Sequence, residues 1–325
     1  MKIGMTYDLK DDYVAEGWSD EDAAEFDSVE TVEAIDASLK KLGHKTDRIG
    51  HFKSLVNRLA RGDRWDLVFN IAEGIYGVGR EAQVPAILDA YQIPYTFSDT
   101  VIMALTLQKA LTKWVVQDLG VPTPDFVVVR KLLDITQVNL AYPLFAKPVA
   151  EGTGKGVTSK SKIADKKELT TACRELLERF KQPVLIERYL PGREFTVVVV
   201  GTGSNSQALG VMEIILKPVA EQNAYSYLNK ENYKEVVEYE FPEDEVAEAA
   251  KKLAVQVHVG LNCRDSSRSD FRMDEHGNLQ FMEINPIAGL HPVNSDMPII
   301  CNHYGIDFDT LIKIILDSAM ERVVK

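Results

Sequence analysis

Short apolar segments of strand length alternate with amphipathic stretches of helix length through the first hundred residues, and that alternation confines the chain to the α/β class. Lys2 to Thr6 and Asp66 to Ile71 read as strands, and Pro94 to Thr96 as a short third one. Between the first two, Asp27 to Leu42 places Val29, Val32, Ile35 and Leu39 on one helical face and meets Gly43 at its end. A second helix is expected over Glu81 to Ala90, so these residues form a doubly wound unit with a parallel sheet. The acidic stretch from Asp8 to Asp27 is open to two readings: one wall of a substrate pocket, or a solvated loop leading into a helix N-terminus, where acids are favoured.

Beyond that unit, Lys109 to Leu119 is a further helix, and Gly120-Val121-Pro122-Thr123-Pro124 breaks the chain before a strand at Phe126 to Arg130. Strands at Leu144 to Lys147 and Val184 to Arg188 flank a helix near Lys167 to Phe180. From Glu194 the chain is strand-rich until helices at Glu243 to Val259 and Asp309 to Met320. The expected division is residues 1–105, 106–184 and 185–325, and 325 residues with 45% hydrophobic content suffice for such a multi-unit core. Trp18 and Trp65 are expected as packing anchors.

The formal charge of −12 argues against a nucleic-acid backbone as partner, so an anionic small molecule would need a local cluster of Lys and Arg. Cys173, Cys263 and Cys301 lie far apart in no metal spacing, as expected of buried thiols in a reducing compartment. No apolar run has membrane-spanning length, and the expected location is the cytoplasm.

Three segments carry chemistry. In Arg264 to Asn285, Arg268, Asp270 and Arg272 recur at period two, a turn falls at Asp274 to Asn278, and Phe281, Glu283 and Asn285 recur at period two on the return. Such a hairpin sets Asp270 opposite Glu283 at about 5 Å, where two carboxylates repel unless a cation lies between them. With Asn285 they make a donor set suited to Mg²⁺ and phosphate oxygens. The competing reading is a half-exposed hairpin whose charges face water. Lys147 to Val157 (KPVAEGTGKGV) is a glycine-rich loop whose N–H groups and lysines can approach phosphates, although its spacing is not that of a Walker A loop. Val184 to Thr196 (VLIERYLPGREFT) is a strand, a Leu-Pro-Gly turn and a new strand, with carboxylates that could accept from an adenine amino group and a ribose.

In this order and spacing the three segments resemble the ATP-grasp enzymes, and over nearly the whole chain the D-alanine-D-alanine ligase group. The resemblance implies a small central lid over ATP, a C-terminal antiparallel-sheet domain, a homodimer and small amino-acid-like substrates. Lys109 and Lys147 would hold the α- and β-phosphates; Lys155 and the backbone of Gly152, Gly154 and Gly156 would cover the γ-phosphate. Glu187, Arg188, Tyr189 and Leu190 would meet adenine, with Phe281 packed on it, Glu194 on the ribose, and Lys230 as a further cation. Asp270, Glu283 and Asn285 would bind two Mg²⁺, replaceable by Mn²⁺. Arg268 and the Gly289 N–H would stabilise an oxyanion, while Glu25 would bind the first substrate's ammonium and Thr153 would stand where the family carries a Ser. Ser295 and His291 would face the second substrate. The implied activity is ATP-dependent joining of an amino acid, activated as an acyl phosphate, to the amine of a second one. The alternatives are a ligase for a substrate other than D-alanine and a regulatory protein that binds ATP without turnover. The chain departs from the family's usual segments at Ile71 to Gly74, at Gly79 to Gln83 and near Asp296.

Overall fold

The computed structural model describes residues 1–221, 226, 228–229 and 232–323. Strands β1 (Lys2–Thr6), β2 (Lys45–Gly50) and β3 (Leu67–Asn70) form a parallel sheet in the order β2-β1-β3. The helix Val29–Lys41 begins where the Ser28 side chain accepts from the Thr31 N–H, which satisfies one orphan donor of its first turn. It lays Val32, Ile35 and Leu39 on the sheet beside Ile3 and Met5. The opposite face is closed by Leu55, Trp65, Val68 and Leu88. Trp65 is thus an anchor, and Trp18 joins Tyr13, Phe26 and Tyr76 in a smaller aromatic group.

Two expectations differ in detail. The segment Pro94 to Thr96 makes only an isolated bridge, Val68 to Tyr95, and β2 with its helix Phe52–Ala60 was not anticipated. The burial pattern of β2 is mostly exposed or intermediate, so its sequence lacks the apolar run that marked β1 and β3. The acidic stretch after β1 holds a helix, Lys10–Ala15.

A four-stranded antiparallel sheet follows, β4 (Phe126–Val129), β5 (Leu144–Pro148), β6 (Lys162–Ile163) and β7 (Val184–Arg188), ordered β4-β7-β5-β6. Its core is the helix Lys166–Phe180 laid on Leu144, Ala146, Val184 and Ile186 through Leu169 and Cys173. Because β7 pairs with both β4 and β5, this unit runs to Arg188, four residues past the expected division at 184. The third sheet is antiparallel, ordered β10-β9-β8-β11-β12, from β8 (Glu194–Val200), β9 (Gln207–Leu216), β10 (Val237–Glu240), β11 (Ser266–Met273) and β12 (Leu279–Asn285). Val197 to Val200 are all buried because both faces of β8 are covered. One face meets the helix Glu245–Gly260 through Ala247, Ala250, Ala254 and Val257. The other joins the N-terminal sheet in one shared core with Ile287, Leu290, Ile300, Leu311 and Ile315. That shared core fixes the N- and C-terminal sheets against each other, and residues of the central sheet face those of the C-terminal sheet across a cleft. The three cysteines are free and buried. Among the described residues no helix is long and apolar enough to cross a membrane.

Candidate active site

The hairpin β11–β12 sets Arg268 against Asn285 and Asp270 against Glu283, and then the register slips so that Phe271 pairs with Phe281. Met282 is the extra residue of this bulge, which reverses the side-chain parity of β12. Met282 and Glu283 consequently both line a cleft, whereas Phe281 is fully buried behind the sheet, 5.8 Å from Phe271 between ring centroids. Phe281, which the resemblance implied would pack on adenine, thus lies outside the cleft, and Met282 faces the cleft in its stead.

Around Asp270 and Glu283 the charges are matched closely. Arg268 donates through Nε (3.2 Å) and Nη2 (3.0 Å) to Asp270 and through Nη1 (3.3 Å) to Asp296. Thr196 Oγ1 donates to Asp270 at 3.0 Å. Lys109 Nζ stands 3.4 Å from Glu283 and also donates to the Glu151 carbonyl. Asn285, expected as the third ligand beside Asp270 and Glu283, has a buried side-chain Nδ2 with no partner. Among the described residues no three His, Cys, Asp or Glu side chains stand close enough to hold an ion alone. Two carboxylates and an amide fit a cation that takes its remaining ligands from phosphate and water, which is how Mg²⁺ is usually held.

The opposite wall comes from the central sheet and its glycine loop: Phe145, Lys147, Gly154, Lys155 and Val157, continuing through Glu187, Arg188, Tyr189 and Leu190 to Glu194. Tyr189 stacks with Phe145 at 6.4 Å, and Lys162 Nζ stands 4.3 Å from its ring. Arg272 pairs with Glu194 at 3.3 Å, and Arg188 pairs with Glu275 at the rim. Glu187, expected at adenine, is committed elsewhere. Its carboxylate lies 2.8 Å from Lys147 Nζ and 3.0 Å from the Nζ of Lys113, a fully buried lysine whose role the sequence did not reveal. Burial would raise the Glu187 carboxyl, but the two ammonium groups hold it below the usual carboxylate range. Burial pushes Lys113 down to about 8, with Glu187 opposing.

The loop's glycines have steric reasons. A Cβ at Gly156, where φ is +74°, would sit 2.7 Å from the Phe180 ring, and one at Gly152 would sit 2.8 Å from Glu25 Oε1. Thr153 takes a positive φ of 51° in the same turn. Glu25 was expected to bind an ammonium. It instead accepts from the Gly152 N–H, pairs with Arg80 Nη2 at 2.9 Å and lies 3.2 Å from Lys155 Nζ. Burial alone would raise its carboxyl; Arg80 and Lys155 hold it low. Arg80 Nη1 also donates to the Ala150 carbonyl at 2.9 Å, so the N-terminal unit grips the loop at both ends. Arg80→Met should therefore cost about 3–5 kcal/mol, the range for one lost partner of a buried pair, and speed amide exchange in residues 150–157. Unchanged exchange there would show that the grip does not restrain the loop.

Beside Arg80 and Glu25, burial pushes Glu81 up to about 7 against the pull of Arg80, and burial and then repulsion from Glu81 and Glu25 push Glu73 well above the carboxylate range. His291 Nδ1 accepts from the Val293 and Asn294 N–H groups at 3.2 Å, which caps the loop, and its Nε2 lies 3.5 Å from Glu30. It therefore caps the loop through Nδ1 and turns its Nε2 edge toward Glu30. Ser295 Oγ accepts from the His291 N–H at 3.0 Å and lies 2.8 Å from where a Gly289 Cβ would be. Lys230 lies outside the described residues.

A lysine-lined glycine loop folded over an acidic antiparallel hairpin, with a parallel-sheet unit gripping the loop, defines the ATP-grasp class of protein. Residues 115–317 match the family described as D-ala D-ala ligase C-terminus, and the D-alanine–D-alanine ligase of Aquifex aeolicus is 31% identical over 292 residues, 89% of this chain and 94% of that one. The chain belongs to the D-alanine–D-alanine ligase family. Its fold is shared with the D-alanine–D-alanine ligase from Bacillus anthracis complexed with ATP (TM-score 0.76, 22% identity, 99% of this chain and 98% of that chain). The VanG D-Ala:D-Ser ligase from Enterococcus faecalis is similar to the same degree (TM-score 0.75, 20% identity, 98% and 99% covered).

Proposed function

We propose that the protein is an ATP-dependent carboxylate–amine ligase of the D-alanine–D-alanine ligase type, giving ADP and phosphate. The observation that carries this reading is the opposition, within one cleft, of Lys109, Lys147 and Lys155 to Asp270 and Glu283, with the Arg268 guanidinium bonded to Asp270. Triphosphate oxygens would replace carboxylates as partners of the three lysines: Glu283 for Lys109, Glu187 for Lys147, Glu25 and Glu151 for Lys155. Adenine would enter between Tyr189, Leu190 and Met282, with Glu194 at the ribose. Asp270, Glu283 and Asn285 would hold divalent ions, Mg²⁺ in the first place, and a bound ion would neutralise charge on the transferred phosphoryl group.

The donor carboxylate attacks the γ-phosphorus and becomes an acyl phosphate, and an amine then displaces phosphate at its carbonyl carbon. Arg268 and the Gly289 N–H would stabilise the oxyanion of that step. No covalent bond to the enzyme is required, because catalysis rests on positioning and charge. The test is phosphate release with ATP and Mg²⁺ over single and paired amino acids, with mass spectrometry of the product. Release stimulated by a donor and amine pair, with an amide product, is expected. Tight ATP binding with no stimulation by any pair would favour a regulatory ATP binder instead.

A further inference from the structure

We propose that Asp296 sets the acceptor specificity of this ligase, favouring an amine that carries no carboxylate beside its nucleophilic nitrogen. The inference rests on the ligase reading above and deepens it. Asp296 opens the helix Asp296–His303, and its side chain, 11% exposed, lines the same cleft as Asp270 and Glu283. Its Oδ2 lies 3.3 Å from Arg268 Nη1, the edge of the guanidinium that Asp270 leaves open.

An acceptor of amino-acid type brings an anion into the cleft, and among the described residues Arg268 and Tyr233 already have partners inside the chain, while the Ser295 hydroxyl accepts one bond and keeps its own proton to donate. Arg268 holds Asp270 and Asp296. Ser295 Oγ is engaged by the His291 N–H, His291 Nδ1 by two loop amides, and Tyr233 Oη donates to Asn294 Oδ1 at 3.0 Å. The carboxylate of Asp296 covers the Nη1 edge of the guanidinium, so an acceptor carboxylate that approached this edge would meet a second carboxylate. A second carboxylate there is repelled with little solvent screening, whereas an ammonium is attracted.

The coupling step then balances as follows. The acceptor ammonium gives one proton to solvent. The freed amine attacks the acyl carbon and forms the C–N bond, the C–O bond to phosphorus breaks with its electron pair leaving on phosphate, and the second N–H proton leaves with the phosphate.

The experiment compares alanine, serine and β-alanine with their carboxamides as acceptors, matched pairs that differ in charge and little in size. The donor is the amino acid that yields most hydroxamate when ATP, Mg²⁺ and hydroxylamine are present, and each variant's hydroxamate rate normalises its coupling rates. For the wild-type protein, kcat/KM should favour the carboxamide by at least about tenfold. Asp296→Asn and Asp296→Ser should both shift that ratio toward the free acid by at least about tenfold, chiefly through the KM of the acid. A wild-type preference for the free acid, coupling of neither member of any pair, or an equal loss for both members in the variants would overturn the proposal. The last outcome would leave Asp296 as a support for Arg268 only. Absence of hydroxamate with every donor would overturn the ligase reading and this inference together; hydroxamate without discrimination overturns this inference alone.

Discussion

Glu283→Gln should lower ATP-dependent phosphate release by about 10²–10³-fold, the loss typical when one preorganised charge-stabilising group is removed. The change preserves shape, and the β12 backbone does not depend on the charge. The folded state loses the 3.4 Å pair with Lys109 but also loses the repulsion between Glu283 and Asp270, its direct cross-strand neighbour. These two effects oppose each other, so the melting temperature should move by no more than a few degrees while turnover collapses. Titration with Mg²⁺ separates the causes: if Glu283 is a metal ligand, residual activity should need far more metal to saturate. Wild-type turnover in a folded Glu283→Gln protein would remove the hairpin from the mechanism.

How far such a site can be read from sequence depends on whether its residues follow a repeating rule. Asp270 faces Glu283 because two strands of period two met across a turn marked by Asp274, Gly277 and Asn278, and that geometry is written in the residue order. Phe281 lies on the wrong side because the period is broken by one residue at Met282, and nothing in the local sequence signals a bulge there. Lys113 carries no motif that sets it apart within the helix expected over Lys109 to Leu119. Only the fold shows that this helix, Lys109–Asp118, turns that position into the dry interior toward Glu187 and the Phe281 carbonyl. Arg80 meets Glu25 across 55 residues of chain and grips a loop 70 residues away, separations that no periodicity encodes. The parallel sheet was legible through β1 and β3, whose Ile3, Met5 and Leu67 to Phe69 are apolar and buried; β2, half exposed at the sheet edge, carried no such run.

The largest effect on stability should come from Glu187→Gln. One buried carboxylate stands between two buried ammonium groups, Lys147 at 2.8 Å and Lys113 at 3.0 Å, and removing its charge leaves both cations in a dry interior. Breaking one partner out of a buried ionic group costs about 3–5 kcal/mol, so the variant should unfold at a clearly lower urea midpoint near neutral pH. The pH dependence identifies the cause. Burial holds Lys113 at about 8 in the folded protein, below the ordinary lysine range. Between pH 8 and about 10 the unfolded chain therefore keeps a proton that the folded chain has released, and stability rises with pH by at most about 1.4 kcal/mol per unit for this one group. In Glu187→Gln, Lys147 loses the carboxylate that kept its pKa raised against burial, so a second proton joins the exchange and the slope steepens. Lys113→Met should flatten the wild-type slope and, combined with Glu187→Gln, restore part of the lost stability, since Thr123 Oγ1 still donates to the Phe281 carbonyl at 2.9 Å. If Glu187→Gln unfolded at the wild-type urea midpoint with the same pH slope, the two lysines would not depend on Glu187. The position of Lys147 in the cleft would then need another explanation.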